Sequence, residues 1–192
     1  MVILLATKNP HKAEELTKFL GKYAEIQTLP DTFPDTEETG TTLEENARLK
    51  AQAVHAEFNL PTVADDTGLE VAALGGAPGV YAARYAGPGA SYEDNCRKLL
   101  KELKDQTDRN ASFITTMCYI DEQGTEHFFR GEIKGIIAFE PRGKNGFGYD
   151  PVFIPVDGDG STFAEMSSSD KNTLSHRARA TAKFVEYLKT QR

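Results

Sequence analysis

Long apolar runs are missing from this sequence. The stretch Met1 to Ala6 is apolar but stops at Thr7-Lys8-Asn9-Pro10, far short of the ~18 residues of a membrane span and without the charged n-region of a signal peptide. It predicts a buried first strand, with no membrane partner. Cysteine is scarce: Cys96 and Cys118 have no Cys-x-x-Cys spacing and no second pair beside them. A zinc cluster or a disulfide framework is thereby excluded, and two buried thiols in a reducing cytoplasm are expected. The histidines His11, His55, His127 and His176 form no His-x-x-x-His pair, which argues against a zinc hydrolase. None is placed by the sequence beside a cysteine, so a cysteine nucleophile lacks its base. Positive charge is in deficit, with 22 Lys+Arg against 29 Asp+Glu and a net charge of −7. That balance disfavours a nucleic acid polymer as partner and leaves room only for a small, locally matched phosphate.

What is present suits a globular fold. With 192 residues, 39% hydrophobic and 27% charged, the chain can bury a core and predicts one domain over residues 1–192. Val2 to Ala6 is followed by Asn9 as N-cap, Pro10 at the first helical position, and an apolar face of Leu16, Phe19 and Leu20 that Gly21 ends. Ala24 to Leu29 is a second strand. Thr42-Leu43-Glu44-Glu45 has the form of a capping box, and Leu43, Ala47, Ala51, Val54 and Phe58 continue it to about Asn59. Pro61 to Ala64 is a short strand that ends at Asp65-Asp66-Thr67-Gly68. Leu74 to Gly89 is a shaped loop with at most one helical turn, and Ser91-Tyr92-Glu93-Asp94 opens a helix carrying Cys96, Leu99, Leu100 and Leu103 inward. Ala111 to Ile120, Glu126 to Gly135 and Ile136 to Phe139 are strands, Pro141 to Pro151 is a Gly-rich loop, and Val152 to Ile154 is a strand. The last helix is expected from about Thr173 to Gln191. Helices alternating with strands, then strands in succession, indicate an α/β fold with a mixed sheet.

Four groups of residues carry possible chemistry. Thr7-Lys8-Asn9-Pro10-His11-Lys12 lies between a strand and a helix N-terminus, a corner that favours phosphate, although a capped turn with solvated lysines has the same pattern. Asp65-Asp66, with the pairs Glu37-Glu38 and Glu44-Glu45, offers hard oxygens suited to magnesium. Neighbouring side chains of a strand point to opposite faces, so Asp65 and Asp66 would not both reach one ion. Solvated acid at a helix start is the other reading of both glutamate pairs. Gly146-Phe147-Gly148-Tyr149-Asp150 holds aromatics among glycines, either to stack a base or to pack a core. Lys171 with Ser175-His176-Arg177 places cations just before and at the start of the last helix, where an anion or polar ligand would match them.

Taken in order, Thr7 to Lys12, Glu38-Thr39-Gly40, Glu45-Asn46-Ala47, Asp65 to Gly68, Leu74 to Gly79, Phe147 to Pro151 and Ser175-His176-Arg177 resemble the inosine-triphosphate pyrophosphatase family from Thr7 to Arg177. The resemblance implies an elongated mixed β-sheet flanked by helices, in two lobes around a central nucleotide cleft, and a homodimer. It implies magnesium-dependent hydrolysis of ITP, dITP, XTP and dXTP to the monophosphate and pyrophosphate, which clears deaminated purines from nucleotide pools. In that family's terms Thr7, Lys8, Asn9, Pro10, His11 and Lys12 hold the triphosphate, Glu38 and Asp66 bind Mg2+, and Asp66 is the proton acceptor. Thr67 touches the nucleotide, Phe147, Gly148, Tyr149 and Asp150 form the base and sugar pocket, Lys171 approaches phosphate or base, and His176 and Arg177 recognise the 6-keto purine. Departures from the pattern are Thr67 in a place where serine is common, Lys144-Asn145 where small residues are usual, and the loop Val156 to Ser161. The rival readings are a pyrophosphatase of different base preference, a catalytically silent nucleotide-binding protein and a plain interaction domain.

Overall fold

A computed structural model describes residues 1–191 of the chain. The strands are β1 (Val2–Leu5), β2 (Glu25–Thr28), β3 (Thr62–Val71), β4 (Pro78–Gly79), β5 (Asn110–Ile120), β6 (Glu126–Ile137) and β7 (Phe153–Pro155). The helices are α1 (Pro10–Leu20), α2 (Leu43–Phe58), α3 (Tyr92–Glu102), α4 (Ser168–Leu174) and α5 (His176–Thr190). The strands form one mixed sheet in the order β2-β1-β3-β5-β6-β7, with β4 paired to β3. β1 runs parallel to β2 and β3, whereas β3–β4 and β6–β7 are antiparallel.

Packing divides the chain into two units. The first contains Met1–Asp66, Thr115–Gly131 and the chain from Arg179 onward. Side chains alternate along β1 and β3, so Ile3, Leu5 and Val63 pack with Leu16, Leu20, Phe184 and Leu188 of α1 and α5. Leu4, Ala6 and Ala64 face the other way, onto Ala47, Ala51 and Val54 of α2. The unit is thus a helix–sheet–helix sandwich, with the apolar residues of β1 and β3 divided between the two helix layers. The second unit, Thr67–Ile114 with Glu132–Ala178, has its own core of Leu69, Val71, Leu99, Leu103, Phe113, Ile133, Phe153 and Phe163. β3, β5 and β6 each contribute residues to both units.

The local signals that the sequence carries are realised. Asn9 Oδ1 accepts from the backbone N–H groups of His11 and Lys12 at 3.0 and 3.3 Å, and Pro10 is the first residue of α1. Thr42 with Glu45, and Ser91 with Asp94, form reciprocal capping boxes. Cys96 and Cys118 are both buried.

Four expectations are corrected. β3 does not end before Asp65 but continues through the aspartates to Val71. β6 is one strand to Ile137 rather than two, because Gly135 packs where a Cβ would overlap Ile154 O and the Phe153 ring. A glycine inside a strand here marks close approach, not an end. The segment Ala72 to Tyr85 holds two single-turn 3-10 helices as well as β4, more than the one turn expected. Finally, the last helix is two: Ser175, with ψ 156°, breaks the run, and its Oγ accepts from Ala178 N–H at 3.2 Å to cap α5.

Candidate functional site

In the first unit, three charged groups, Lys12, Lys50 and Glu38, are arranged around the two β3 aspartates. The alternation that sends Val63 toward α1 sends Asp65 the same way, and its Oδ2 lies 3.0 Å from Lys12 Nζ. Asp66 follows Ala64 toward α2, where its Oδ1 accepts from Lys50 Nζ at 2.9 Å and its Oδ2 from Asn46 Nδ2 at 3.3 Å. Lys50 Nζ also donates to Glu38 Oε1 at 2.8 Å. One ammonium therefore bridges the two carboxylates singled out as metal ligands.

The approach of Glu38 has a local cause. Asn46 Oδ1 accepts the Gly40 backbone N–H at 2.8 Å, and a Cβ on Gly40 would come within 2.6 Å of that oxygen. Only glycine lets the acidic loop close against α2. Asn46 is fully buried and thereby joins the loop to Asp66.

Electrostatics set the two partners apart. Burial pushes the Asp66 carboxyl above its usual range, further than Lys50 and Lys12 draw it down, and Glu38 adds to the rise. Burial alone would lower the Lys50 ammonium, but Asp66, Glu38 and Asp65 carry it above its ordinary value. Lys50 stays charged, and Asp66 is a stronger base than a solvated aspartate.

Elsewhere in this unit, Thr7 Oγ1 accepts from Asn9 N–H at 3.2 Å, which shapes the turn. Lys8 pairs with exposed Asp35 at 3.0 Å, and His11 is exposed at the start of α1 after Pro10. Glu45 spends its carboxylate on the cap, accepting from Thr41 and Thr42 N–H at 2.7 and 3.0 Å. Glu44 pairs with Arg48 at 3.3 Å. These two glutamates belong to the helix start and not to the charged cluster.

The second unit assembles the remaining residues on the Gly-aromatic loop. Asp150 Oδ2 accepts from Lys171 Nζ at 2.6 Å and from Phe147 N–H at 2.8 Å. Gly146, at φ +74°, has no room for a Cβ, which would overlap that carboxylate. Lys171 Nζ lies 4.7 Å and Arg177 Cζ 5.6 Å from the Phe147 ring centre, so two cations gather at one aromatic ring. Arg177 also donates to Thr67 Oγ1 at 3.3 Å. His176 is stacked on Phe113, ring centres 4.6 Å apart.

Tyr149 is a core residue whose hydroxyl donates to Ala82 O at 2.8 Å. Gly148 O accepts from the Cys96 thiol. A cavity of about 440 Å³ opens beside Phe147, lined among others by Tyr92, Arg97 and Lys144. Lys50 escaped the sequence reading, Asn46 entered it only within the motif Glu45-Asn46-Ala47, and Tyr92, read there only as part of a helix start, has its ring centre 6.0 Å from that of Phe147. A signal existed for the first two: they are one turn apart on α2, flanking Ala47 and Ala51.

Glu38 and Asp66 fit a magnesium ion. They are hard oxygen donors converging on one cationic position, and magnesium takes one or two protein carboxylates together with water and phosphate. Among the described residues no cluster of three or more His, Cys, Asp or Glu could hold a metal ion.

A model of the Ham1 family matches residues 3–187. The dITP/XTP pyrophosphatase of Porphyromonas gingivalis is 49% identical over 189 residues, covering 97% of this chain and 96% of the relative. Among solved structures, the Staphylococcus aureus Ham1 protein superposes with a TM-score of 0.91 at 36% identity, each chain covered completely. A HAM1 protein from Coxiella burnetii gives 0.89 at 41% identity, with 99% of each chain covered.

Proposed function

Because the chain belongs to the Ham1 family, we propose that it is a nucleoside-triphosphate pyrophosphatase acting on ITP, dITP, XTP and dXTP, releasing the monophosphate and pyrophosphate. The observation that carries this reading is the Glu38–Lys50–Asp66 bridge: two carboxylates converging on one cation position, with a buried, basic aspartate among them. Glu38 and Asp66 would hold Mg2+, which when bound neutralises charge on the phosphate oxygens as the pyrophosphate leaves.

Asp66 accepts the proton of the attacking water, a task suited to a carboxylate whose affinity for protons burial has raised. Lys12, the Thr7 hydroxyl and the backbone amides at the start of α1 bind the triphosphate, where the helix dipole favours negative charge. The purine lies against Phe147, and its 6-keto oxygen receives donors from the Lys171, His176 and Arg177 group. Adenine presents an amino group at that place and leaves a buried donor unmatched, about 1–3 kcal/mol or roughly 5- to 150-fold per contact.

We read the protein further as a single catalytic domain and a cytoplasmic homodimer, its oligomeric state decided by sedimentation. No helix among the described residues is long and apolar enough to cross a membrane. The test of the activity is pyrophosphate release from ITP, XTP, GTP and ATP, with magnesium and with chelator, by wild type and Asp66→Asn. Cleavage of ITP and XTP with GTP and ATP largely spared, abolished by chelation and by the substitution, is the expected result. Equal cleavage of GTP or ATP would remove the pool-cleansing role, and no turnover at all would leave a nucleotide-binding protein.

A further inference from the structure

Asp65 has no part in the chemistry above, yet its side chain is 0% exposed and forms an ion pair with Lys12. A buried carboxylate is costly even when paired, and an apolar side chain of similar volume often serves stability equally well. Val63, two residues earlier and on the same face of β3, is such a side chain. The ion pair therefore calls for a purpose other than holding strand to helix.

Lys12 supplies that purpose. It is the third residue of α1, and its backbone N–H is fixed by Asn9 Oδ1 at 3.3 Å. A lysine in a first turn is disfavoured by the helix dipole, and its four-carbon stem is free to take many rotamers. Pairing with Asp65 leaves the Lys12 side chain only 16% exposed. Asp66 cannot perform this task, since its carboxylate is on the opposite face of β3 with Lys50 and Asn46.

We propose that Asp65 is a positioning residue that aims the Lys12 ammonium at the phosphate chain of the nucleotide. The proposal rests on the reading of Thr7 to Lys12 as the triphosphate loop. The tandem aspartates then divide their work: Asp66 faces the reacting groups on the α2 side, and Asp65 orders a phosphate ligand on the α1 side. Holding the ammonium in place beforehand spares the rotamer ordering that binding would otherwise require.

The test is a double-mutant cycle read by calorimetric binding of inorganic tripolyphosphate in the presence of excess Mg2+, using the full chain. Asp65→Asn and Lys12→Met should each weaken binding about tenfold. Adding Asp65→Asn to Lys12→Met should change binding by no more than about twofold, since the two act through one interaction. If Asp65→Asn does not fold, Asp65→Leu, close in volume and uncharged, replaces it in the cycle.

Unchanged binding by the Asp65 variant overturns the proposal, as does an equal loss in both backgrounds. Tighter binding overturns it too, because that is the result if Asp65 merely competes with phosphate for the ammonium. No binding by wild type has the same consequence. Turnover of dITP by wild type is scored separately: its absence would remove the proposed reaction while the tripolyphosphate cycle still decides the role of Asp65.

Discussion

Replacing Lys50 with methionine keeps the length of the stem and removes only the ammonium that bridges Glu38 and Asp66. Two charge-assisted hydrogen bonds, at 2.8 and 2.9 Å, are lost, each worth about 1.5–3 kcal/mol. The loss is offset in part. Glu38 keeps 27% of its side chain in solvent, and Asp66, already pushed above the usual carboxylate range by burial, can take up a proton. A net destabilisation of about 2–4 kcal/mol results, which for a chain of this size lowers Tm by about 4–16 °C.

The assay is thermal unfolding at pH 7.5 in chelator, repeated with several millimolar Mg2+ or Mn2+. A divalent ion placed between the two carboxylates restores the missing positive charge, so the metal-induced rise in Tm should be larger for Lys50→Met than for wild type. A variant that melts within about 2 °C of wild type in chelator would refute the estimate. Equal metal-induced shifts in both proteins would refute the assignment of Glu38 and Asp66 to the ion.

Three further outcomes are expected. Arg109 is buried, and its guanidinium donates to Ile137 O, Leu103 O and Ala138 O at 2.6, 3.0 and 2.7 Å; Arg109→Met should cost about 2–4 kcal/mol in urea unfolding, and a change under about 0.5 kcal/mol would show that the carbonyls find other partners. Burial pushes both Cys96 and Cys118 from 9.0 up to about 12, so unfolded thiols ionise first and stability present below pH 9 is lost as pH rises toward 12. At pH 10 this amounts to about 1.4 kcal/mol per thiol, and the Cys96→Ala/Cys118→Ala protein should lose correspondingly less between pH 8 and 10. Gly146→Ala drives a Cβ into the Asp150 carboxylate, whereas Gly148, at φ +63°, has nothing within 4 Å. Steady-state kinetics with dITP should show at least a tenfold greater fall in kcat/KM for Gly146→Ala than for Gly148→Ala, and equal falls would mean that backbone strain alone is felt.

The sequence revealed what is decided within a few residues. Asn9-Pro10, Thr42 with Glu45, and Ser91 with Asp94 are caps whose partners are three residues away or fewer, so their pattern survives in one dimension. Ser175 is of the same kind: its hydroxyl caps α5, and a serine ahead of His176-Arg177 could have been read as the start of a new helix. The extent of β3 is another matter. Adjacent aspartates read as the end of a strand, and they remain inside it because Lys12 and Lys50 reach them from helices that lie earlier in the chain. Lys50 itself was hidden for the complementary reason. A lysine beside an apolar helical stripe has the look of a solvated flank, and its one-turn spacing from Asn46 gains meaning only through its pairing with Asp66.

The same contacts explain why one short stretch of strand can serve two purposes. The period of two that separates Leu4 from Leu5 in β1 continues in Val63, Ala64, Asp65 and Asp66, so the change from apolar to acidic occurs on both faces of β3 at one level. Each helix layer supplies one lysine at that level. Two ammonium groups then meet three carboxylates, Glu38, Asp65 and Asp66, and the cluster keeps a formal excess of one negative charge. A lone triphosphate would be repelled by that excess, while a triphosphate accompanied by a divalent cation brings the charge that the carboxylates lack and the oxygens to which the lysines can donate. On the proposed reading, Asp65 and Asp66 are already largely withdrawn from water, so an exchange of partners on binding would require little new desolvation of the aspartates, and the field acting on a phosphate chain would be in place beforehand.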